Sequence, residues 1–390
     1  MAVSKTDSKA RYNGLPRPVS SLPSVSYYDE AHYRRELREI WYRNWLYVCR
    51  ADELPGPRDF LTYEIGDQNI LLLRDRDGGL RAFHNTCRHR GSRLCREARG
   101  RLRGNRISCP YHRWTYDLSG ALVGVPAADL GEGFDASDYP LYAVAVREWH
   151  GFVFVHLGGA DAPPLERTMD PASDLLDHWP LAEIEVGHGY RRTLACNWKV
   201  FWENYNECYH CPGVHPGLSR LVPLYGRGIM DPLDDPDWAA HADDSDPRYR
   251  GGLRRGAETW SPDGRGTGID FPDLTPAERA AGHSFITILP TLFLVGYVDH
   301  VRAIALKPLS PETTELVGLW LFPPEALRRA ADDVKRVSEF GVQVMEEDAA
   351  ACELNQQGLH ALGHEAGVLL PQEYEVRRFH DWVRAHLDDG

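Results

Sequence analysis

Two short pairs of residues constrain this chain more than anything else in it: Cys87-Arg88-His89, and then Cys109-Pro110-Tyr111-His112. Each pair closes a strand-like run and is followed by turn residues. Two thiols and two imidazoles make a metal-ligand set that a fold must bring together. Zinc accepts such a set. So does a two-iron, two-sulfide cluster in which thiolates hold the iron that stays ferric and neutral imidazoles hold the iron that takes the electron. Zinc modules of this composition pair Cys-x-x-Cys with His-x-x-x-His. Here Cys and His interleave within each half, which favours the cluster. Cys95 stands nearby, but no fifth ligand is needed, and a small buried residue is the simpler reading of it.

The rest of the chain fits an ordinary globular protein with two or three domains. Its 390 residues carry a net charge of −13, which argues against nucleic acid and against an anionic membrane as partners. The charge is uneven: residues 81–113 hold ten arginines, a local basic patch suited to an acidic protein or an acidic neighbouring subunit. The N-terminus is polar, without the apolar core of a signal peptide. The longest apolar stretch, Phe285–Val298, is interrupted by Thr287, Pro290 and Thr291 and is too short to span a bilayer. A cytoplasmic protein is expected. Eight cysteines in a chain of this length are no disulfide scaffold, and in a reducing compartment paired Cys and His usually mean metal or catalysis.

Patterning divides the chain. Residues 1–25 read as a flexible N-terminal arm rich in Pro and Ser. Residues 26–45 read as a helix, with Tyr33, Leu37, Ile40, Trp41 and Trp45 at helical spacing. Residues 46–157 alternate in short segments between turn signals, the texture of a small all-β module. From 158 to 390 helices and strands mix. Leu194–His210 reads as a helix, and 226–275 as a long polar loop, a lid or an ordered insertion. Residues 284–322 hold four strand candidates. Residues 324–359 read as one long helix between Pro324 and Gly358. The fold class expected is α+β.

A second constellation lies in NWKVFWENYNECYHCPGVH, residues 197–215. Glu207 and His210 stand at i and i+3, on one helical face. Pro212 and Gly213 end the helix, and His215 can swing back beside His210. Two neutral imidazoles and one carboxylate, with positions left open, form the facial triad of non-haem Fe(II) oxygenases. The spacing alone does not say which carboxylate completes it.

The runs CRHRGSRL and CPYHRWTYDLSG closely resemble the Rieske [2Fe–2S] domain, and the 197–215 stretch resembles the catalytic domain of Rieske oxygenase α subunits. The resemblance covers roughly residues 28–385. It implies an all-β Rieske domain placed before a helix-grip-like catalytic domain of antiparallel sheet and helices. It implies the cluster on Cys87, His89, Cys109 and His112, and a mononuclear Fe(II) on His210 and His215. In the family the ligand acid comes from a distant C-terminal helix. The matching MEEDAAACELNQQGL nominates Asp348, with Glu346 and Glu347 pointing elsewhere. Glu207 then takes another role: it accepts a hydrogen bond from His210 and bridges a Rieske His of one subunit to an iron-bound His of the next. The resemblance further implies a head-to-tail homotrimer, O2 as co-substrate, and electrons from NAD(P)H through a separate flavin/ferredoxin-type reductase. Two departures stand out. Nineteen residues separate His89 from Cys109, read as a loop insertion (ARGRLRG), and Arg113 occupies a position where the family commonly has Gly.

ENYNECYHCPGVHP looks most like the α-only members that demethylate glycine betaine, carnitine and stachydrine. The small-molecule substrate implied is a quaternary ammonium compound. An aromatic cage would hold its cation, with Phe201, Trp202, Tyr205, Tyr209, Tyr297, Trp320 and Phe322 as candidates and core packing as the plainer reading of most. Arg302 or Lys307 could meet a substrate carboxylate, with surface charge as the default. Hydroxylation or dihydroxylation of an aromatic acid or natural product is the rival within the class. A pure electron-transfer Rieske protein is the rival outside it, disfavoured because it needs no second iron site.

Overall fold

The computed structural model describes residues 11–127, 129–169 and 173–388. The chain forms two compact units: Ile40–Thr168 makes one, and the segments on either side of it join to make the other. Part of the expected arm, residues 1–10, lies outside the described residues. The rest is not loose. Val19–Pro23 is a strand paired antiparallel with Ala366–Leu369.

The Ile40–Thr168 unit is a seven-stranded antiparallel sheet with a small three-stranded sheet. The runs that alternate in sequence are its strands, among them Asp59–Ile65, Gln68–Arg74, Leu80–His84, Ala143–Trp149 and Phe152–His156. Their inward residues Phe60, Leu71, Leu73 and Phe83 meet Ile107, Tyr116, Leu118 and Leu141 in one core, and Cys87 and Cys109 are part of it. The arginine-rich insertion is not merely loop. Arg99–Arg101 adds an edge strand to Asp59–Ile65, and its exposed arginines discourage edge-to-edge pairing.

The second unit is built on a five-stranded antiparallel sheet. Its strands run in the order Glu185–Leu194, Thr313–Phe322, Val301–Ser310, Leu292–Tyr297, His283–Ile288. A long helix, Ala331–Gly358, packs against the first of these strands and against the helix Trp198–Tyr205. Its buried face carries Val334, Val337, Phe340, Gly341, Val344, Met345, Ala349 and Cys352 at helical spacing. Gly341 admits the Trp320 indole, into which any Cβ there would collide.

Three expectations need correction. The helix expected over 324–359 breaks at Ala330 into Pro324–Arg329 and Ala331–Gly358; Asp332 and Asp333 then sit in the first turn of the second piece, where the helix dipole favours them. The N-terminal helix spans only Glu30–Glu39, with a short turn at Trp41–Arg43. The helix expected over Leu194–His210 is only Trp198–Tyr205: Leu194 ends a strand, and Asn197 caps the helix by accepting the Lys199 N–H.

The Asn197-Trp198-Lys199 motif anchors this helix. Trp198 Nε1 donates to Glu36 Oε2 at 2.8 Å. Lys199 is fully buried, ion-paired with the equally buried Glu36, and donates to the Ser26 carbonyl and Asn197 Oδ1 at 2.9 Å each. The polar stretch 226–275 is an ordered insertion of short helical turns with Trp260, Phe271 and Leu274 buried. Among the described residues no helix is long and apolar enough to cross a membrane.

Candidate active site

The first ligand set sits on two loops. Cys87 and Cys109 are buried, His89 is exposed and His112 partly so. The loops close on their own backbones: Gly91 N–H donates to the Cys87 carbonyl at 2.9 Å and Arg113 N–H to the Cys109 carbonyl at 3.1 Å. The imidazoles meet edge-on with ring centroids 4.7 Å apart, and His89 stacks on Trp114 at 4.9 Å. Tyr116 Oη lies 3.3 Å from Cys87 Sγ and accepts the Arg88 N–H at 3.1 Å. Burial pushes the Cys87 thiol up, so ionised sulfur here wants a cation beside it. Soft sulfur inside and paired imidazoles at the rim suit a two-iron cluster. Arg113 has φ 60°, a left-handed conformation that glycine enters freely and other residues at a cost. The φ value gives a physical reason for the Gly common at this position.

The second set assembles from three places. His210 follows the helix Trp198–Tyr205 by one tight turn. Glu207 shapes that turn: its carboxylate accepts the Tyr209 and His210 N–H groups, and its Oε1 lies 2.5 Å from His210 Nδ1. A Cys208–Cys211 disulfide closes the same turn. Glu207 and His210 therefore meet in a turn closed by the Glu207 side chain, not on a continuous helical face. His215 stands between two short helices, Cys211–Val214 and Pro216–Leu221. Asp348 projects from the long helix. Asp348 Oδ1 is 2.8 Å from His215 Nε2 and 3.4 Å from His210 Nε2, and the two Nε2 atoms are 3.2 Å apart. One ligand atom from each of the three falls within 4.8 Å of the others.

Sequence reasoning missed a fourth member. Glu347, expected to point away, places Oε2 2.7 Å from His215 Nδ1, while Gln343 Nε2 donates to its Oε1 at 2.9 Å. Glu346 does turn away, to Tyr190 and Arg192. Both imidazoles thus have one nitrogen fixed by a glutamate and the other aimed at Asp348. Burial opposes charge on His210, but Asp348 and Glu207 outweigh it and hold the ring up at about 9. Asp348, enclosed as it is, is held at about 2 by the two imidazoles. Three carboxylates around two imidazoles make a cluster that attracts positive charge, which a divalent cation supplies once the rings release their protons.

A cavity of about 90 Å³ opens from these residues. Asn204, Tyr205, Tyr225, Met230, Trp260, His283, Phe285, Val295, Arg302 and Val344 line it. Of the aromatic candidates, Tyr205 alone reaches it. Phe201, Trp202, Tyr297 and Trp320 are buried in the core and do not line it: Trp202 Nε1 is spent on the Pro290 carbonyl and Tyr297 stacks on His300. Phe322 is buried against His300, and Tyr209 is half exposed. Tyr225, Trp260 and Phe285 take their places. Two of these lie in or beside the insertion 226–275, where no periodic pattern pointed to a wall. Lys307 is paired with Glu315 at 2.9 Å.

Comparison with known proteins places this architecture. Residues 44–138 match the Rieske [2Fe-2S] domain, and residues 181–389 match the catalytic domain of the ring hydroxylating alpha subunit. The chain belongs to the Rieske non-haem iron oxygenases, as an α subunit. It is similar to the glycine betaine monooxygenase oxygenase subunit of Chromohalobacter salexigens, with 31% identity over 93% of this chain and 84% of that one. The fold also matches a quaternary ammonium Rieske monooxygenase concerned with carnitine oxidation and inter-subunit electron transfer, with TM-score 0.71, 23% identity and coverage of 96% and 100%. It matches naphthalene 1,2-dioxygenase from Rhodococcus sp. with TM-score 0.72, 20% identity and coverage of 94% of each chain. This chain is accordingly an oxygenase component with a [2Fe–2S] cluster domain and a catalytic domain that uses mononuclear iron and O2.

Proposed function

We propose that this subunit oxidatively N-demethylates a small quaternary ammonium compound such as glycine betaine. The observation that carries the reading is the cavity at His210, His215 and Asp348: its volume is about 90 Å³, a space for a small molecule, and Tyr205, Tyr225 and Phe285 wall it with aromatic surface that attracts a desolvated cation. The similarity to a glycine betaine monooxygenase subunit supports the same substrate.

His210, His215 and Asp348 would hold the mononuclear iron, and Cys87, Cys109, His89 and His112 the cluster. When bound, these groups activate O2 with electrons delivered singly. The protein's residues supply the rest. Glu207 and Glu347 fix the imidazole orientations from behind. The aromatic walls exclude water and hold the methyl groups at the ligand end. In the net reaction one oxygen atom enters an N-methyl C–H bond, and the other leaves as water with two electrons and two protons. The N-hydroxymethyl product then breaks its C–N bond, releasing formaldehyde, a proton and the tertiary amine.

The reading includes a cytoplasmic homotrimer in which Glu207 bridges neighbouring subunits. It also includes a flavin/ferredoxin-type reductase drawing on NAD(P)H, with the arginine-rich stretch 81–113 meeting an acidic partner. Oxygen uptake and formaldehyde release should be measured with betaine-type against benzoate-type compounds. Formaldehyde in proportion to O2 from an N-methyl substrate is the expected result. Its absence from every N-methyl compound removes the demethylase.

A further inference from the structure

Arg302 is out of place for a charged residue. It lies on the strand Val301–Ser310, is only 6% exposed, and lines the cavity. Its Nε and Nη1 atoms are buried without a hydrogen-bond partner. A buried guanidinium without an anion costs several kcal/mol, so proteins pair such groups, with an internal acid or with something bound.

No internal acid answers it among the described residues. Asp299 is committed to Thr259 Oγ1 at 2.7 Å, His300 Nδ1 at 2.8 Å and the Thr267 N–H at 2.8 Å. Glu207 and Asp348 are held by the imidazoles. The cross-strand neighbours of Arg302 are Val295 and Trp320, both without charge. What does hold Arg302 is the Trp260 ring, 5.5 Å from the guanidinium carbon. The indole Nε1 of Trp260, 7% exposed overall, is likewise buried without a partner in the same wall. His283 is neutral, since burial first and Arg302's charge second hold it down at about 4, and it shares a 2.9 Å contact with Tyr225 Oη. The cavity therefore has a cationic fork and an unspent indole N–H in its wall, with carboxylates at its metal-ligand end.

We infer that Arg302, with Trp260 Nε1, is the anchor for a substrate carboxylate. The inference rests on this cavity being the substrate site and adds to the proposed function the class of molecule: a carboxylate whose oxidised group points away from Arg302. A fixed guanidinium matches a carboxylate with two parallel hydrogen bonds. For a betaine the two ends sort themselves. The carboxylate goes to Arg302, and the ammonium is repelled by it toward the aromatic surface of Tyr205 and Phe285, which turns an N-methyl group away from Arg302 and toward His210 and His215. Choline, which has no carboxylate, would leave Arg302 unpaired and be disfavoured.

Binding to the purified holoenzyme, measured by calorimetry without reductant, tests this apart from turnover. Wild type should bind glycine betaine at least tenfold more tightly than its methyl ester or choline. Arg302→Gln should weaken betaine about a hundredfold and leave choline within a factor of three. Arg302→Lys should recover part of the loss. Unchanged betaine affinity in a folded Arg302→Gln protein overturns the anchor. So does equal binding of betaine and its ester by wild type, a comparison that needs no variant. Failure of the demethylase reading is separable. If arylcarboxylates bind instead of betaines and lose affinity in Arg302→Gln, the anchor stands and the N-methyl substrate falls. If no carboxylate of either kind binds wild type, the anchor falls.

Discussion

Glu347 offers the sharpest test of how the proposed metal ligands are held. Its Oε2 sits 2.7 Å from His215 Nδ1, which leaves Nε2 as the atom turned to Asp348 at 2.8 Å. The other oxygen of Glu347 is taken by Gln343 Nε2 at 2.9 Å. Glu347→Gln keeps an acceptor for His215 only by presenting its own NH2 to Gln343, which must then flip its amide. The ring stays oriented, but the negative charge that makes the imidazole a better donor to a cation is gone. Glu347→Leu removes both. Partners of this kind are worth about 10–100-fold in metal affinity, roughly 1.4–2.7 kcal/mol. The Gln variant should sit near the lower figure and the Leu variant near the upper. Competition for Fe(II) against a chelator of known affinity gives the ratio, and the visible absorption of the cluster should be unchanged as an internal control. Wild-type iron affinity in Glu347→Leu would refute the reasoning, because nothing else contacts His215 Nδ1 among the described residues.

Glu207→Gln should leave both metal contents near wild type and depress turnover severely; normal activity would remove its proposed bridging role. Lys199→Met leaves Glu36 buried without its cation and should cost about 3–5 kcal/mol in denaturant unfolding, with Glu36→Gln added to it restoring part; a loss under 1 kcal/mol would show that the pair is replaceable. Arg113→Gly, relieving φ 60°, should be neutral or stabilising by about 1 kcal/mol, read from the melting temperature. His283 titrates at about 4 folded against 6.5 unfolded, so the unfolded chain binds the extra proton. Stability from this group is whole above 6.5 and falls as pH drops toward 4, by about 3 kcal/mol. His283→Gln should flatten the decline of melting temperature across that window, and an unaltered slope would show that His283 does not set it.

The legible parts of the chain were those that local chemistry spells out. Cys87, His89, Cys109 and His112 stand in two compact motifs, and alternating runs such as Phe152–His156 declare strands because one residue in two must be buried. Asp348 was reachable only through resemblance, since nothing local separates it from Glu346 and Glu347. The structure separates them by direction alone: around the helix, Glu346 reaches Tyr190 and Arg192, Glu347 reaches the back of His215, and Asp348 reaches the front. A hundred degrees per residue turns three adjacent acids into three different roles. The stretch Leu194–His210 reads as one helix for a similar reason, although only Trp198–Tyr205 is helical. Glu207 and His210 do meet, but a turn closed by the Glu207 side chain brings i and i+3 together as well as a helix does.

The cavity wall was illegible for a different reason, and that reason bears on how specificity arises here. Its residues come one or two at a time from the sheet, the helices and the polar insertion, so no window of sequence contains a pattern. The aromatic candidates adjacent to the motif, Phe201 and Trp202, stand at i−4 and i−3 from Tyr205 on the same side of the helix, but the core covers them: Trp202 packs edge-on against Tyr205 at 5.6 Å and gives its Nε1–H to the Pro290 carbonyl, and Phe201 is 2% exposed. The aromatic wall comes instead from Tyr225, Trp260 and Phe285. Arg302 shows the same logic in charge. In sequence it is one more arginine in an apolar strand, and surface charge is the sensible default. Only burial beside Trp260, with every nearby acid already engaged, converts it into a demand for an anion. In the proposed function the ligand motifs set the oxidation, whereas a single unpaired guanidinium, set by tertiary packing, selects the molecules. Substitutions at the insertion and at residue 302 should therefore exchange substrates without disturbing either metal site.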